Sequence, residues 1–294
     1  MTSRSFRTFL NEQESIDGAP PLSEAKEAML GDPHQVMVIA EDDDIVALGV
    51  VKLYQTSEDV QRAAFETVVP RSMRFPAFED RVVDETLALI PSGISYTGWS
   101  RRSSLDAALE RRGMSPVRSL AEMSMPLSVA SLGSSSDPVQ GDSIAVRSFT
   151  TTDADALIDI NRAAFGDHPE AASLDRKELN DLMQKAWFDP QGVLFHESDG
   201  EVAGFCWTKV HPEGEGEIYR VGVDPRHRGK GIGRRLTLAG YRYLAEARGC
   251  TTGFLWVDEA NTDAVGMYEG IGLVVRSRNR EFGHVSPDHA NSDD

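Results

Sequence analysis

Two spaced glycines within a basic run are the residues of this chain best suited to bind a charged ligand. The run Arg228-Gly229-Lys230-Gly231-Ile232-Gly233 has the spacing R-x-x-G-x-G and follows the stretch GEIYRVGV and an Asp-Pro turn. Glycines let consecutive backbone N–H groups approach one anion without obstruction by side chains. The run also opens a helical pattern, whose first N–H groups and dipole attract anions. An isolated GxG could be a plain turn with solvated charges, but the full combination favours a pyrophosphate ligand.

The charge of the whole chain makes this basic run informative. The formal net charge is −17. Such an acidic surface repels phosphate backbones, so we expect no nucleic-acid partner. A short segment nevertheless carries only basic charges, at Arg226, His227, Arg228, Lys230, Arg234 and Arg235. A basic segment in an acidic protein indicates a small anionic ligand.

Length and composition indicate two folded domains and a cytoplasmic location. A chain of 294 residues fits two ordinary domains, and 40% hydrophobic residues suffice for their cores. No apolar run approaches the roughly 20 residues of a membrane span, and the N-terminal segment lacks the apolar core of a secretory signal. Cys206 and Cys250 are the only cysteines, which suits a reducing compartment. We therefore expect a cytoplasmic protein without a membrane partner.

Hydrophobic periodicity predicts a mixed α/β domain around the basic run. The strand Glu217–Val223 leads into the run, and a helix follows with apolar residues from Ile232 to Ala247 at three- and four-residue spacing. An Asp-Gly pair at 199–200 joins two alternating stretches as a hairpin turn would. The other predicted elements of this half are the strand Ile144–Phe149, helices Thr152–Phe165 and Asp175–Phe188, the strands Gly192–Glu197, Val202–Val210 and Thr252–Val257, the helix Asn261–Tyr268 and the strand Leu273–Phe282.

The first half repeats this order of elements with weaker signals, which indicates a duplicated domain. The counterparts are the hairpin strands Val36–Ala40 and Ile45–Tyr54, the strands Ala64–Val69 and Ile94–Trp99, and the helix Ser103–Arg112. The predicted fold class is α/β with a mixed sheet in two tandem domains, at 1–130 and 144–294. A linker rich in Ser and Gly joins them at 131–143, and residues 283–294 are expected to form a disordered tail.

The basic run and its flanking elements resemble the GNAT acetyltransferase superfamily, whose acyl-CoA pyrophosphate loop has the form Q/R-x-x-G-x-G/A. Outside this loop, the stretches AAFGDHPE, AWFDPQG, GFCWTKVHP and GEIYRVGVDP are similar to the mycothiol synthases, a tandem-GNAT family of actinobacteria. The resemblance implies an N-acetyltransferase with acetyl-CoA as co-substrate and without a metal. It also implies an acceptor, the cysteinyl amine of cysteinyl-glucosaminyl-inositol.

Two side chains match catalytic residues of the GNAT enzymes. Glu217 matches the carboxylate that takes a proton from the acceptor amine, directly or through a water. Tyr268, in the pattern N-x-x-A-V-x-x-Y, matches the tyrosine that protonates the departing CoA thiolate, which a phenol with an unperturbed pKa of about 10 can do. From residue type alone, Glu217 could be a solvated glutamate and Tyr268 an aromatic ring that packs a short helix on the sheet.

Backbone groups are expected to hold much of the acetyl-CoA. In the superfamily the strand before the loop splays from its neighbour, and its free N–H and C=O groups bind the acetyl carbonyl and the pantetheine arm. One such N–H aimed at the thioester oxygen would stabilise the oxyanion by roughly 3 kcal/mol, and a glycine in the strand fits a close approach. The matching residues are Val221, Gly222 and Val223 in the strand, Arg228, Gly229, Lys230, Gly231, Ile232, Gly233 and Arg234 in the loop, and Asn261, Thr262, Asp263, Ala264, Val265 and Gly266 near the CoA sulfur.

The resemblance also implies residues that contact the acceptor. They are Glu24, Glu170, Lys209, Glu217 and Trp256. Carboxylates, an ammonium and an indole N–H suit a cationic amine and a sugar–inositol rich in hydroxyls. By residue type alone, Trp256 could be a core residue, and Lys209 and Glu170 surface charges.

Metal and covalent chemistry are not indicated. His168 and His211 lie far apart and have no Cys or His partner at ligand spacing, so we expect no metal site. Trp207, His211 and Tyr219 are interpreted as structural. Cys206 has no histidine nearby in sequence, which favours direct acetyl transfer over an acetyl-cysteine.

The first half departs from the loop pattern. After its third strand the chain runs Pro70-Arg71-Ser72-Met73-Arg74-Phe75-Pro76-Ala77-Phe78, without a glycine. Side chains would crowd a pyrophosphate, and two prolines remove N–H donors. We expect this degenerate domain to be catalytically inactive.

Two other functions stay open from the sequence. The chain could acetylate another amine, such as an antibiotic, a polyamine or a protein N-terminus, or it could bind acyl-CoA without catalysis. The presence of Glu217 and Tyr268 favours an enzyme. We expect a monomer.

Overall fold

The computed structural model divides the chain into two compact units. Unit 1 comprises Met1–Leu120 and Arg278–Asp294, and unit 2 comprises Ala121–Ser277. The described residues are 5–17, 22, 26, 29–32, 34–41, 44–55, 60–128, 132, 144–166, 174–198 and 200–284. Apart from Leu132, Gly283 and His284, the predicted linker and the predicted tail lie outside them. The domain boundaries expected from the sequence stay a prediction.

Unit 1 is a mixed sheet with helices. Its elements are α1 (Phe6–Asp17), β1 (Val36–Glu41), β2 (Asp44–Gln55), β3 (Val60–Val68), α2 (Pro76–Leu87), β4 (Ser95–Ser100), α3 (Ser103–Glu110), the first part of β5 (Ser115–Pro126) and the end of β11 (Val274–His284). β1, β2 and β3 are antiparallel neighbours, whereas β3 and β4 run parallel. The end of β11 pairs antiparallel with β4.

Unit 2 repeats this plan around its own parallel pair of strands. Besides parts of β5 and β11, its elements are β6 (Arg147–Ser148), α4 (Ala154–Phe165), α5 (Arg176–Met183), β7 (Val193–Ser198), β8 (Glu201–Val210), β9 (Gly216–Val223), α6 (Ile232–Glu246), β10 (Thr252–Asp258) and α7 (Thr262–Glu269). The strand order is β5-β10-β9-β8-β7-β6. β6 to β9 are antiparallel neighbours, and β9 is parallel to β10. Parallel strands need a crossover connection, which α6 supplies.

Different helices cover the two faces of the unit 2 sheet. Successive residues of a strand point to opposite faces, so Cys206 lies on one face and its neighbours Phe205 and Trp207 on the other. α6 buries Leu236 and Tyr241 in the cluster that contains Cys206. α4 and α5 form a second apolar cluster around Phe205 and Trp207. The strand β9 is therefore held between two packed layers, one of which α6 provides.

The structure confirms the α/β fold class and most of the predicted elements. The hairpins β1–β2 and β7–β8 and the helices α4, α6 and α7 lie where the sequence predicts them. α5 is shorter than predicted and ends at Met183, because the chain up to Phe188 continues in turns before Pro190. β6 is limited to two residues, whereas β11 extends to His284. No helix in the described part of the chain is long and apolar enough to cross a membrane.

Two helices of unit 1 were not predicted. α2 has Pro76 in its first turn and buries Phe78, Val82 and Val83. Proline is common at the first helical position because its missing N–H would be unpaired there anyway. The four-residue spacing of Phe78 and Val82 was the available helical signal. α1 likewise buries Phe9 in its apolar side.

Candidate active site

Strands β9 and β10 separate soon after they begin, and this opening is the centre of the candidate site. Their parallel ladder contains the pairs Gly216–Gly253 and Glu217–Phe254, and no later pair joins the two strands, all of whose residues are described. On its other edge β9 stays paired with β8 to its last residue. The backbone of Val221–Val223 therefore has an edge that β10 does not cover, in agreement with the splay that the resemblance implies.

The loop after β9 curls at two glycines. Gly229 and Gly231 have φ angles of +76° and +71°, a left-handed conformation that strains other residues. A Cβ added at either glycine would meet no atom within 4 Å, so the space above the loop is open. Asp224 closes the preceding turn by accepting a hydrogen bond from the N–H of Arg226 at 2.8 Å. A curled backbone beneath open space can accommodate a diphosphate, which an extended or side-chain-filled loop could not.

The first turn of α6 presents N–H groups and positive charge to this space. Its N-cap, Gly231, has no side chain to satisfy the first N–H groups of the helix, and the first turn contains no acidic residue. Arg228 donates to the carbonyl oxygen of Ala164, and Arg235 donates to that of Lys230, so two guanidinium groups are fixed near the loop. The positive end of the helix dipole and these cations favour a bound anion.

Arg226 does not act together with the rest of the basic segment. Its guanidinium lies 2.8 Å from Asp224 and 3.2 Å from Glu201. Hydrogen bonds from Arg226 lower the pKa of the Asp224 carboxyl below its usual value. Arg226 therefore stabilises the turn before the loop. The positive charge available to a bound anion comes from the basic residues after Arg226.

Three segments predicted to bind CoA converge at Gly233. A Cβ added there would lie 3.6 Å from Cγ2 of Val223 in β9 and 3.8 Å from Sδ of Met267 in α7. Asn261 caps α7 by accepting from the N–H of Ala264 at 3.2 Å. The predicted segment 261–266 is thus the N-cap and first part of a helix that adjoins the start of α6.

Glu217 lies where β9 and β10 part, and it forms a hydrogen bond with a histidine. Its Oε2 is 2.7 Å from Nε2 of His211, in the turn that follows β8. Glu217 is only 9% exposed, and the His211 ring lies 5.1 Å from the ring of Phe254. From the sequence, His211 is interpreted as structural, whereas the structure places its ring against the Glu217 carboxylate. The available signal for this contact was that His211 and Glu217 flank one hairpin turn, because a hairpin brings such residues side by side.

Three predicted acceptor residues share one face of neighbouring strands. Lys209 in β8 is the ladder partner of Glu217, and Trp256 stands two residues after Phe254, the partner of Glu217 in β10. Residues two apart in a strand point to the same face. Leu255, which stands between Phe254 and Trp256, points to the α6 side of the sheet. Two further predicted acceptor contacts lie outside the described residues: Glu24 and Glu170.

Tyr268 is buried in the core on the α6 side of the sheet. Burial, and to a smaller degree the nearby Cys206, raises the pKa of the Tyr268 phenol well above the unperturbed value assumed from sequence. Burial also raises the pKa of Tyr241, and Tyr268, Cys206 and Glu217 add to the shift. The Tyr241 hydroxyl has no hydrogen-bond partner among the described residues. Glu217 and Tyr268 are therefore both within electrostatic reach of one buried hydroxyl.

Gly222 in β9 is closely approached by side chains of the neighbouring elements. A Cβ at Gly222 would lie 2.7 Å from Cε1 of Phe205 and 2.8 Å from Cβ of Ala164. These distances are shorter than real Cβ contacts, so Gly222 is needed for the close packing of α4 on the sheet. The glycine thus marks a close approach, here by α4, and its backbone lies on the uncovered edge of β9.

Cys206 is fully buried, and burial raises the pKa of its thiol well above the usual range. A thiol that stays protonated is a poor nucleophile. Among the described residues, no group of three His, Cys, Asp or Glu side chains is placed to hold a metal ion.

The counterpart of the loop in unit 1 has a different structure. A short 3-10 helix, Arg71–Met73, follows β3, and α2 begins directly after it. The Arg74 side chain donates to the carbonyl oxygen of Val69 at 3.0 Å and pairs with Asp17. No glycine opens this turn, and an arginine folds back on it.

Comparisons with known proteins agree with this geometry. The family model described as Acetyltransferase (GNAT) family matches residues 154–273. A mycothiol acetyltransferase from Streptomyces avermitilis is 36% identical and aligns over 90% of this chain and 86% of the relative. Another from Acidothermus cellulolyticus is 33% identical with the same coverage. A solved tandem GNAT protein from the clavulanic acid biosynthesis pathway covers 94% of this chain and 93% of its own, with a TM-score of 0.66; at 13% identity it shows a shared fold.

Proposed function

The chain belongs to the mycothiol acetyltransferase family, and we propose that it transfers the acetyl group of acetyl-CoA to the cysteinyl amine of cysteinyl-glucosaminyl-inositol. It is an acyltransferase of the GNAT type. One observation carries the proposal: the curled loop at Gly229 and Gly231 stands at the end of the opening between β9 and β10, with Glu217 at the other end of the uncovered edge.

The loop is proposed to bind the diphosphate of acetyl-CoA. Backbone N–H groups from 228–234 and the start of α6 would donate to the phosphate oxygens, with Lys230 and Arg234 adding positive charge. The uncovered edge of Val221–Val223 would accept the pantetheine arm. An N–H from that edge would polarise the thioester carbonyl. The adjoining segment 261–266 would contact the molecule near its sulfur.

Proton transfers at two side chains accompany the proposed reaction. The Glu217 carboxylate takes one proton from the acceptor ammonium, and the freed amine attacks the thioester carbon. A C–N bond forms, the C–S bond breaks, and the Tyr268 phenol protonates the departing thiolate. The nitrogen loses its second proton to solvent water as the amide forms, and a proton from water restores the Tyr268 phenol. Because burial raises the pKa of Tyr268, the phenol carries its proton at the start of the step at any physiological pH.

The acceptor is proposed to lie on the sheet face that carries Lys209, Glu217 and Trp256. A carboxylate there suits the cationic amine, while an ammonium and an indole N–H suit the hydroxyl groups of the sugar and inositol. Glu24 and Glu170 are proposed contacts by family resemblance. The degenerate N-terminal domain, a monomeric state and a cytoplasmic location belong to the same proposal.

The test is an acetyl-transfer assay with the purified full chain and acetyl-CoA. CoA release is measured with cysteinyl-glucosaminyl-inositol, a polyamine, an aminoglycoside and a peptide N-terminus as parallel acceptors. We expect the highest kcat/KM with the first acceptor, and mass spectrometry should show one acetyl group on its amine. A higher kcat/KM with another amine would replace the proposed acceptor. Binding of acetyl-CoA without turnover on any acceptor would instead identify a binding module.

A further inference from the structure

The turn between β8 and β9 holds the ring of His211 in a defined place. The N–H of His211 donates to the carbonyl oxygen of Glu215 at 2.9 Å, and its own carbonyl accepts from the N–H of Gly214 at 2.9 Å. The ring lies 5.1 Å from that of Phe254, tilted by 49°. The backbone and the ring are therefore both restrained on one side, which leaves Nε2 directed at Glu217.

Arg276 reinforces both restraints. Its guanidinium lies 2.6 Å from the carboxylate of Glu215 and 5.3 Å from the centre of the Phe254 ring. It also pairs with Glu122 in β5. Glu215 and Phe254, the two neighbours that restrain His211, both contact Arg276. The position of His211 therefore depends on a connected set of contacts.

The direction of the hydrogen bond follows from its partners. An ionised carboxylate can only accept, so in the 2.7 Å contact Nε2 of His211 donates and Oε2 of Glu217 accepts. With Oε2 held in this way, Oε1 is the oxygen that the carboxylate offers to an acceptor amine. A base must be within hydrogen-bond reach of the proton that it abstracts, so this orientation matters for the rate.

We propose that His211 is a positioning residue that holds the Glu217 carboxylate in the orientation in which it receives the proton of the acceptor amine. This inference rests on the proposed function. Positioning acts on the chemical step rather than on binding of acetyl-CoA, whose predicted contacts lie on the loop and on α6 and α7. Loss of His211 is therefore expected to lower kcat and to leave acetyl-CoA affinity unchanged.

The test compares substitutions that separate the donor from the ring. His211→Gln keeps an N–H donor at a similar reach and loses the ring, whereas His211→Phe keeps the ring against Phe254 and loses the donor. We expect His211→Phe to lower kcat by about 10- to 100-fold, a typical cost of a misplaced catalytic group. His211→Gln should stay within about threefold of the unsubstituted enzyme. Calorimetry should give the same acetyl-CoA Kd for all three, and circular dichroism verifies folding.

The opposite pattern would overturn the proposal. If His211→Phe were active and His211→Gln impaired, the ring would act by packing alone. A second check places His211→Phe in a Glu217→Gln background, where positioning predicts little further loss and an independent role predicts the full loss again. If His211→Phe fails to fold, His211→Asn takes its place, because its amide is too short to reach Glu217. The unsubstituted enzyme separates the two hypotheses: failure to acetylate the cysteinyl acceptor contradicts the proposed function, whereas full activity of His211→Phe contradicts only positioning.

Discussion

The buried Glu217 carboxylate has a setting that a surface glutamate lacks. It stands at the last pair of the β9–β10 ladder, with His211 on Oε2 and Lys209 opposite in β8. A carboxylate that is 9% exposed and held by a neutral or cationic donor keeps one defined geometry. Proton transfer from an amine depends on that geometry, because both atoms must come within hydrogen-bond distance.

Glu217→Gln is expected to lower kcat by about 100-fold or more, because the amide cannot accept a proton while its size is conserved. The measurement is the pH–rate profile of acetyl transfer at saturating acetyl-CoA. Glu213→Gln is the matched control: it removes an exposed carboxylate from the same turn and should leave kcat unchanged. Unchanged turnover of Glu217→Gln, with the same acid limb, would remove Glu217 from the role of base.

At the scale of elements, the loop between β9 and α6 combines backbone conformation with empty space. Gly231 is the N-cap of α6 with a left-handed φ, and it has no side chain to accept a hydrogen bond from the first helical N–H groups. Since nothing lies within 4 Å of its missing Cβ, packing does not require glycine there. The conformation and the room for a ligand are the remaining reasons for the residue.

Gly231→Val is expected to weaken acetyl-CoA binding by about 100-fold, equivalent to two charge-assisted hydrogen bonds at roughly 1.5 kcal/mol each. Calorimetric titration with acetyl-CoA measures the effect. Gly249→Val is the matched control, since Gly249 has a φ of +69° and equally open surroundings but lies at the far end of α6. Each variant should lose a similar amount of stability, and affinity should fall only for Gly231→Val. Equal affinities would contradict the phosphate-loop assignment.

The start of α4 provides an element-scale prediction of stability against pH. Asp153 closes a capping box by accepting from the N–H of Thr150 at 2.7 Å and pairs with Arg147 at 2.8 Å. Hydrogen bonds from Arg147, and then from Thr150, lower the pKa of Asp153 from 3.8 to about 2. A depressed folded-state pKa stabilises the fold above about pH 4, and this contribution disappears as the pH falls toward 2.

Asp153→Asn should therefore lower the Tm clearly at pH 6 and by a smaller amount at pH 3, as measured by thermal unfolding. Asp159→Asn is the control, because this residue of α4 is exposed and its ion pair with Arg162 lies at the surface. Its effect should be small at both pH values. A Tm difference for Asp153→Asn that stays constant from pH 6 to pH 3 would contradict the pKa assignment.

At the scale of the whole molecule, the same order of elements occurs twice, and the turns before the crossover helices differ. Both units have antiparallel strands, a crossover helix and a parallel strand. After β9 the chain turns at two left-handed glycines, whereas after β3 it forms a short 3-10 helix and a proline-initiated α-helix. The duplicated fold therefore carries the features of a phosphate loop in unit 2.

We expect one acetyl-CoA site per chain. Calorimetry of the unsubstituted protein should give a stoichiometry near one, and Gly231→Val should remove that site without revealing another. The physical reason is that side chains crowd the glycine-free turn after β3 and that its two prolines supply no N–H donor. A second site that persists in Gly231→Val would contradict the expected inactivity of the N-terminal domain.

Much of the fold could be predicted from the sequence because its signals are local. Alternating apolar and polar residues predict β7 and β8, and the Asp-Gly pair predicts the turn between them. Apolar residues at three- and four-residue spacing predict α6. α2 was not predicted, because a proline such as Pro76 occurs both in loops and at the start of helices. The close packing of Gly222 against α4 could not be predicted, since α4 is distant in sequence.

The sequence by itself predicted a phosphate loop, since glycine spacing, flanking charge and the start of a helix are properties of one continuous segment. It also determined the family, through stretches outside that loop. Only the tertiary structure decided that β9 and β10 part after Glu217, that Arg226 is bound away from the loop and that His211 forms a hydrogen bond with Glu217. Each of these depends on which strands pair and in what register, and register is set by packing between segments that no local pattern connects.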